Sequence, residues 1–304
     1  MPAADTVVVG AINHHEWPVV APWIRSLRGT GFTGRVMLVA YEDIGDSVIQ
    51  KMQALGVEIH RTTMEISVNR GRFKDFAVLL AGLKPETLVV ATDVRDVVFQ
   101  TSPESLSALL DPAAGHDIAV SSEGWRYCDS EWNLKTLKKV FPDHESAMRE
   151  AEVYCSGVIV GTAAALTALS ARIWQLSSTA PGFNGDQVAM NIALREPAFA
   201  SRTRFLGVTD GRIFHARATW MRTRLKQPAT HEPRFSMLRG VAFRSDGAPV
   251  DVLHQYTEGK FERMRVLSRH GCLWAGLLHR LLQTIRPESD AKVYWKTAPA
   301  APQA

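Results

Sequence analysis

Residues 6–12 read TVVVGAI and residues 35–41 read RVMLVAY. Both are short apolar runs rich in β-branched side chains, the pattern of a strand buried on two faces. Between them, Trp17 to Leu27 carries apolar residues at helical spacing, so the opening of the chain predicts a βαβ unit. Working outward, the unit repeats. Asp46 is expected to cap a helix ending near Gly56, VEIHR (57–61) to form a third strand, Arg72 to Leu83 an amphipathic helix, and TLVVAT (87–92) a fourth strand. This alternation predicts an α/β fold, a mainly parallel sheet flanked by helices, with ligands at the carboxyl ends of its strands.

Beyond Gln100 the pattern is coarser. Residues 117–121 read as a strand, 125–152 as a polar helical insertion with exposed aromatics Trp125, Tyr127 and Trp132, and VIVGT (158–162) as a further strand. Helices are expected at 163–176 and 186–194, an irregular arginine-rich stretch at 202–246, and a late strand in VDVLHQY (250–256). The expected organisation is one domain over 1–260, a basic amphipathic helical extension over 261–296, and a disordered tail over 297–304.

The 304 residues are 46% hydrophobic and 22% charged, a globular composition long enough to bury a core without disulfide or metal staples. The three cysteines, Cys128, Cys155 and Cys272, are far apart and show no CxxC spacing, which excludes a disulfide framework and a thiolate zinc motif. Residues 1–194 hold 16 basic and 22 acidic side chains and residues 195–304 hold 19 and 9, so the net charge of +4 divides into −6 and +10. The basic third suits a phosphorylated ligand or an anionic membrane surface. Nucleic acid is disfavoured, because no helix-turn-helix, zinc-finger or ribonucleoprotein signature organises the charge. The first residues lack the basic region of a secretory signal, and no run approaches the roughly 18 apolar residues of a membrane span, so the expectation is a cytoplasmic protein. Residues 263–286 read in two ways: as a peripheral contact with the cytoplasmic membrane face, or as a terminal helix docked through its Leu and Trp side chains.

The segment LVVATDVRDVVFQ (88–100) carries the most chemistry. An apolar strand runs into Asp93, Asp96 follows three residues on, and apolar residues resume. Carboxylates at a buried strand end are costly unless a cation holds them, and a divalent metal is one such cation. The alternative is a turn in which Asp93 caps backbone amides and Arg95 pairs with Asp96. Gly10 stands without GxGxxG or GxxxxGK[ST], so a bound phosphate would be held by side chains and metal. Arg72 and Lys74 open a helix where a diphosphate can lie, or form an exposed basic turn. Asp186-Gln187 begins a helix after a glycine turn, as a site pair or with Asp186 as an N-cap. His254 ends an apolar run, as a ligand or as a core histidine bonded to a backbone carbonyl. His14 and His15 read as loop residues.

Taken in order, these motifs, with Cys155-Ser156-Gly157-Val158 and Asp186-Gln187-x-x-x-Asn191, resemble a GT-A-fold glycosyltransferase, nearest to the retaining enzymes of glycosyltransferase family 8, over about residues 5–260. The resemblance implies a GT-A (Rossmann-like) fold and transfer of a sugar from a nucleotide-diphosphate sugar to a glycan or lipid-linked acceptor, with retention. It implies that Asp93, Asp96 and His254 hold Mn²⁺ or Mg²⁺, with Asp93 also near the ribose, and that Lys260 contacts the diphosphate. Asp186 and Gln187 would face the transferred sugar, Gln187 near the anomeric carbon, with front-face attack by the acceptor. The chain departs from the family's Asp-x-Asp: it reads Asp-Val-Arg-Asp, with Arg95 in the usual place of the second acid, where it can neutralise phosphate. Stacking by the aromatics of 125–152 would give an acceptor platform, against ordinary packing of a helical excursion. Two other classes compete: a haloacid-dehalogenase-like phosphatase, which also places an Asp-x-x-x-Asp pattern at a strand end, and a non-catalytic nucleotide- or glycan-binding GT-A domain.

Overall fold

The apolar runs of the first hundred residues fold as four parallel strands, β1 (Thr6–Ile12), β2 (Arg35–Tyr41), β3 (Val57–Thr62) and β4 (Leu88–Thr92). Three helices join them, α1 (Trp17–Gly29), α2 (Asp46–Ala54) and α3 (Val68–Leu80). The computed structural model describes residues 5–180, 185–217 and 236–273. Downstream come β5 (Val97–Phe99), β6 (Ile118–Arg126), α4 (Glu131–Val140), α5 (Glu145–Met148) and β7 (Glu152–Thr162). They are followed by α6 (Ala163–Ser177), α7 (Asp186–Ala193), α8 (Pro197–Ala200), β8 (Thr203–Leu206) and β9 (Ile213–His215). The described residues end with β10 (Ser236–Leu238), β11 (Val241–Phe243), β12 (Val252–His254) and α9 (Lys260–Arg269).

Seven strands form the central sheet in the order β3-β2-β1-β4-β7-β6-β8. Only β7 runs against its neighbours, antiparallel to both β4 and β6. Alternate residues of each central strand enter separate cores, because successive side chains of a strand point to opposite faces. Val8, Leu38 and Val90 pack with Trp23 and Ile24 of α1, while Val9, Val39 and Val89 pack with Phe73 and Phe76 of α3 and Leu166 of α6. Burial on both faces is why these strands read as continuous apolar runs.

A small second sheet, β5-β12-β9, sets the geometry that matters for function. In its register His254 pairs with Val97 on one side and with His215 on the other. The last residue of β12 is thereby fixed beside Asp96, which immediately precedes β5.

Several expectations are corrected. Asp46 does not cap α2: Gly45 holds that position without a side-chain bond, and the Asp46 carboxylate pairs instead with Arg61. α3 begins at Val68, so Arg72 lies in its second turn rather than at its start. The stretch 125–152 is not wholly a helical insertion, since β6 continues to Arg126 and β7 begins at Glu152. Its aromatics are not all exposed. Trp125 and Tyr127 are buried, Tyr127 against Leu137, Val153 and Val188, and only Trp132, at 45% exposure, faces solvent. The stretch 202–246 is not irregular throughout but holds β8 to β11.

The start of the expected C-terminal extension is docked. Leu267 and Cys272 pack on Ala21, and Arg25 Nη1 donates to the carbonyls of His270 (2.9 Å) and Gly271 (3.2 Å). The rest of 261–296 and the tail 297–304 lie outside the described residues from 274 onward. No helix among the described residues is long and apolar enough to cross a membrane.

Candidate active site

Three chain segments meet at the carboxyl end of β4. The backbone N–H of Asp93 donates to Gly157 O at 2.8 Å, prolonging the β4–β7 ladder by one residue and holding the Asp93 side chain over β7. Trp23 Nε1 donates to Thr92 Oγ1 at 2.9 Å, which ties the strand end to α1. Asp96 is brought back beside Asp93 by the turn into β5, and Gln255 N donates to Asp96 O at 2.8 Å. Gln255 adopts φ +60°, a left-handed conformation uncommon for a residue with a side chain, and its Oε1 is buried without a hydrogen-bond partner.

His254 faces both acids. Its Nε2 lies 3.3 Å from Asp93 Oδ2 and 3.5 Å from Asp96 Oδ1, and one ligand atom from each of the three residues falls within 4.8 Å of the other two. His254 is therefore not a core histidine satisfied by a carbonyl. Gly157 makes this convergence possible: a Cβ there would stand 2.2 Å from His254 Cε1 and 2.8 Å from Asp93 Oδ2.

Arg72 is the electrostatic hub. It is buried and bridges Asp93 through Nη1, while Nη2 donates to Asp186 Oδ2 (3.2 Å) and Ser156 O (3.2 Å). Burial alone would raise the Asp93 carboxyl, but Arg72 and His254 outweigh it and hold the group well below the usual carboxylate range. Burial is likewise opposed at Asp96, where His254 and then Arg95 lower the carboxyl. At Asp186 burial prevails over Arg72, and the nearby Asp93 adds to it, so this carboxyl is raised.

Asp186 is the first residue of α7, with Gly185 at the cap position, so its carboxylate is free of capping and accepts instead from Ser156 Oγ at 3.1 Å. Gln187 Oε1 accepts from Ser156 N at 3.3 Å. Asn191 clamps β7 from the same helix. Its Oδ1 accepts from Tyr154 N at 2.9 Å and its Nδ2 donates to Tyr154 O at 2.7 Å, so α7 is pinned to the strand that carries Ser156.

These groups line one cleft of about 380 Å³, within the range of small-molecule sites. Arg72, Asp93, Arg95, Asp96, Asp186, Gln187 and His254 all border it. Lys74 does not: it pairs with Glu65 and lies 5.9 Å from the Trp174 ring centroid, on the far side of the α3 turn from Arg72. The side chain of Lys260, at the start of α9, is outside the described residues. Arg95 is half exposed at the rim and reaches Asp96 Oδ2 at 3.5 Å, which is the pairing that the turn alternative anticipated.

Among the other lining residues, Asn13, Arg217 and Gln255 were not singled out from sequence, which reads His15 as a loop residue and names Ser156 only as part of the Cys155-Ser156-Gly157-Val158 motif. Asn13 and His15 follow β1, and the rule that ligands gather at the carboxyl ends of parallel strands was the signal available for them.

Two carboxylates and one imidazole form a donor set of the kind that takes a hard or borderline divalent cation such as Mn²⁺. Asp93 and Asp96 already draw positive charge from Arg72, Arg95 and His254, so the site suits an added cation chemically.

No protein-family model matches the sequence, and no curated protein matches it significantly. Solved structures do match. The glycosyltransferase GlyE of Streptococcus pneumoniae TIGR4 is similar over 93% of this chain and 64% of its own, with 14% identity and a TM-score of 0.54. The WbbM bifunctional glycosyltransferase, in its apo structure, is similar over 83% of this chain and 46% of its own, with 12% identity and a TM-score of 0.50. The chain thus spans roughly half to just under two thirds of the length of these proteins. At such identities the likeness is one of fold, and the fold is the GT-A fold of glycosyltransferases.

Proposed function

We propose that this chain is a nucleotide-sugar-dependent glycosyltransferase that moves a hexose from a nucleotide-diphosphate sugar to a glycan or lipid-linked acceptor. The observation that carries this reading is the meeting of Asp93, Asp96 and His254 at one wall of a cleft whose other wall presents Asp186 and Gln187. On this reading Asp93, Asp96 and His254 would hold Mn²⁺ or Mg²⁺. Such an ion supplies Lewis-acid stabilisation of the charge that grows on the departing diphosphate.

The chain's own residues do the remaining work. Arg72 keeps Asp93 ionised and holds both Asp93 and Asp186 in place, and Arg95 at the rim supplies a cation for phosphate oxygens. Asp186 accepts from sugar hydroxyls. Ser156 N holds Gln187 Oε1 at the cleft wall, and the Gln187 amide N–H would orient the sugar at its anomeric carbon. An amide is a weak nucleophile, so attack by the acceptor on the same face, with retention, is favoured over a covalent intermediate. The phosphatase alternative is disfavoured because Asp93, held between Arg72 and His254, is a poor nucleophile. A role in polysaccharide biosynthesis on the cytoplasmic membrane face belongs to the same proposal. Phe261, 72% exposed, and Met264 on α9 support peripheral contact, which liposome pelleting would test.

Calorimetry of the full chain with UDP, GDP and their sugars, with and without Mn²⁺, tests the reading. The expected result is Mn²⁺-dependent donor binding, with slow release of free nucleotide diphosphate and an anomeric NMR signal of retained configuration. Binding without turnover would favour a non-catalytic module. Hydrolysis of aryl phosphates alone would favour a phosphatase.

A further inference from the structure

Behind the acid pair lies a second convergence that the proposed reaction leaves unused. His254 turns its other nitrogen away from the cleft: Nδ1 lies 2.9 Å from Nδ1 of His215 and 3.5 Å from Sγ of Cys155. All three side chains are buried, and one ligand atom of each lies within 4.8 Å of the other two. The strands impose this. His215 and His254 are register partners on β9 and β12, and Cys155 projects from β7.

We propose that Cys155, His215 and His254 form a thiolate–imidazole site for Zn²⁺ that excludes a hard cation from the neighbouring carboxylate site. In a tetrahedral zinc site with Zn–S near 2.3 Å and Zn–N near 2.0–2.1 Å, donors stand roughly 3.3–3.6 Å apart. The Cys155–His254 spacing already has this value, and the His215–His254 spacing needs to open by a few tenths of an ångström. A zinc-bound imidazole almost always donates its second N–H to an acceptor, and both acceptors are in place. His215 Nε2 lies 2.6 Å from Ser121 Oγ, and His254 Nε2 faces Asp93 and Asp96. One sulfur and two imidazoles form a softer set than two carboxylates and an imidazole, so the two sites select different metals.

Exclusion follows from the single ring the sites share. Zinc on Nδ1 of neutral His254 leaves the proton on Nε2, directed at Asp93 and Asp96, and a protonated nitrogen is no ligand. A cation on Nε2 requires the opposite tautomer, whose Nδ1–H points at His215. Zinc entry displaces to solvent the Cys155 thiol proton and, where His254 enters as the imidazolium paired with the two acids, its Nδ1 proton as well, and leaves both imidazoles neutral.

The test uses the full chain, freed of metal by chelation, with Co²⁺ as the optical probe and Zn²⁺ for X-ray absorption. One equivalent of Co²⁺ should give a thiolate-to-cobalt charge-transfer band with intense tetrahedral d–d absorption, abolished in Cys155→Ala and in His215→Phe and retained in the Asp93→Asn/Asp96→Asn variant. X-ray absorption of the zinc-loaded wild type reads the donor set without any variant, and one sulfur with two imidazole nitrogens is expected. Zinc loading should also reduce Mn²⁺ binding, read by electron paramagnetic resonance, at least tenfold. A shell of oxygen and nitrogen alone, or a charge-transfer band that survives Cys155→Ala with the fold intact, overturns the proposal. None of these readouts depends on sugar transfer, so failure of the transferase reading leaves them interpretable.

Discussion

Gly157 lies against the imidazole of His254 so closely that a methyl group on its Cα would come within 2.2 Å of Cε1. Its φ is not in the left-handed region, so the backbone itself accepts alanine. Gly157→Ala should therefore fold, losing about 1–3 kcal/mol to overpacking, while pushing His254 off the two acids. The expected outcome is at least tenfold weaker Mn²⁺ binding by paramagnetic resonance, with a melting temperature only a few degrees lower.

Arg72 bridges the buried Asp186 and the partly buried Asp93, and removing it leaves Asp186 without its cation and Asp93 with His254 alone. Arg72→Ala is expected to cost about 3–5 kcal/mol in urea unfolding. Arg72→Lys should recover only part of this, because a single ammonium cannot replace a planar fork that reaches Asp93, Asp186 and Ser156 together.

His270 offers a pH test remote from the cleft. Burial, with Arg269 and Arg25 nearby, lowers its folded-state pKa from 6.5 to about 4. Between these values the unfolded chain binds the extra proton, so stability is full above pH 6.5 and is lost as the pH falls toward 4. The loss reaches on the order of 3 kcal/mol. Unfolding free energies of wild type and His270→Gln, compared between pH 7.5 and pH 4.5, should show this part of the slope vanish in the variant.

Trp132 and Arg217 meet at the cleft, the guanidinium 5.5 Å from the ring centroid. If the acceptor sugar stacks there, Trp132→Ala should weaken acceptor glycans at least fivefold on a glycan array and leave nucleotide-sugar binding within twofold. Trp132→Phe should restore most of the affinity.

The parallel half of the fold was legible because strands buried on both faces leave apolar runs that nothing else explains. β7 was legible only as VIVGT (158–162): its polar start at Glu152 hides the true length, and no hydropathy pattern encodes the antiparallel direction. Residues 202–246 hid β9 for another reason. A three-residue strand carries too few side chains to show a period, so His215 passed unnoticed. Asp93, Asp96 and His254 stood out as polar groups at the ends of apolar runs. Arg72 stood out too, but the sequence pointed it at phosphate, whereas its guanidinium is occupied by the site's own acids. That difference is one of pairing across 114 residues, between Arg72 and Asp186, which local spacing cannot reveal.

The inverted strand β7 lies between β4 and β6, and β12 brings the histidine from residue 254. On a ribosome, the first four strands emerge with Asp93 and Asp96 still lacking their shared imidazole, and more than 150 further residues must be translated before it arrives. Until then the nascent chain has only Arg72 and Arg95 as counter-charges for the two acids, so the convergence of the three side chains is completed late in synthesis.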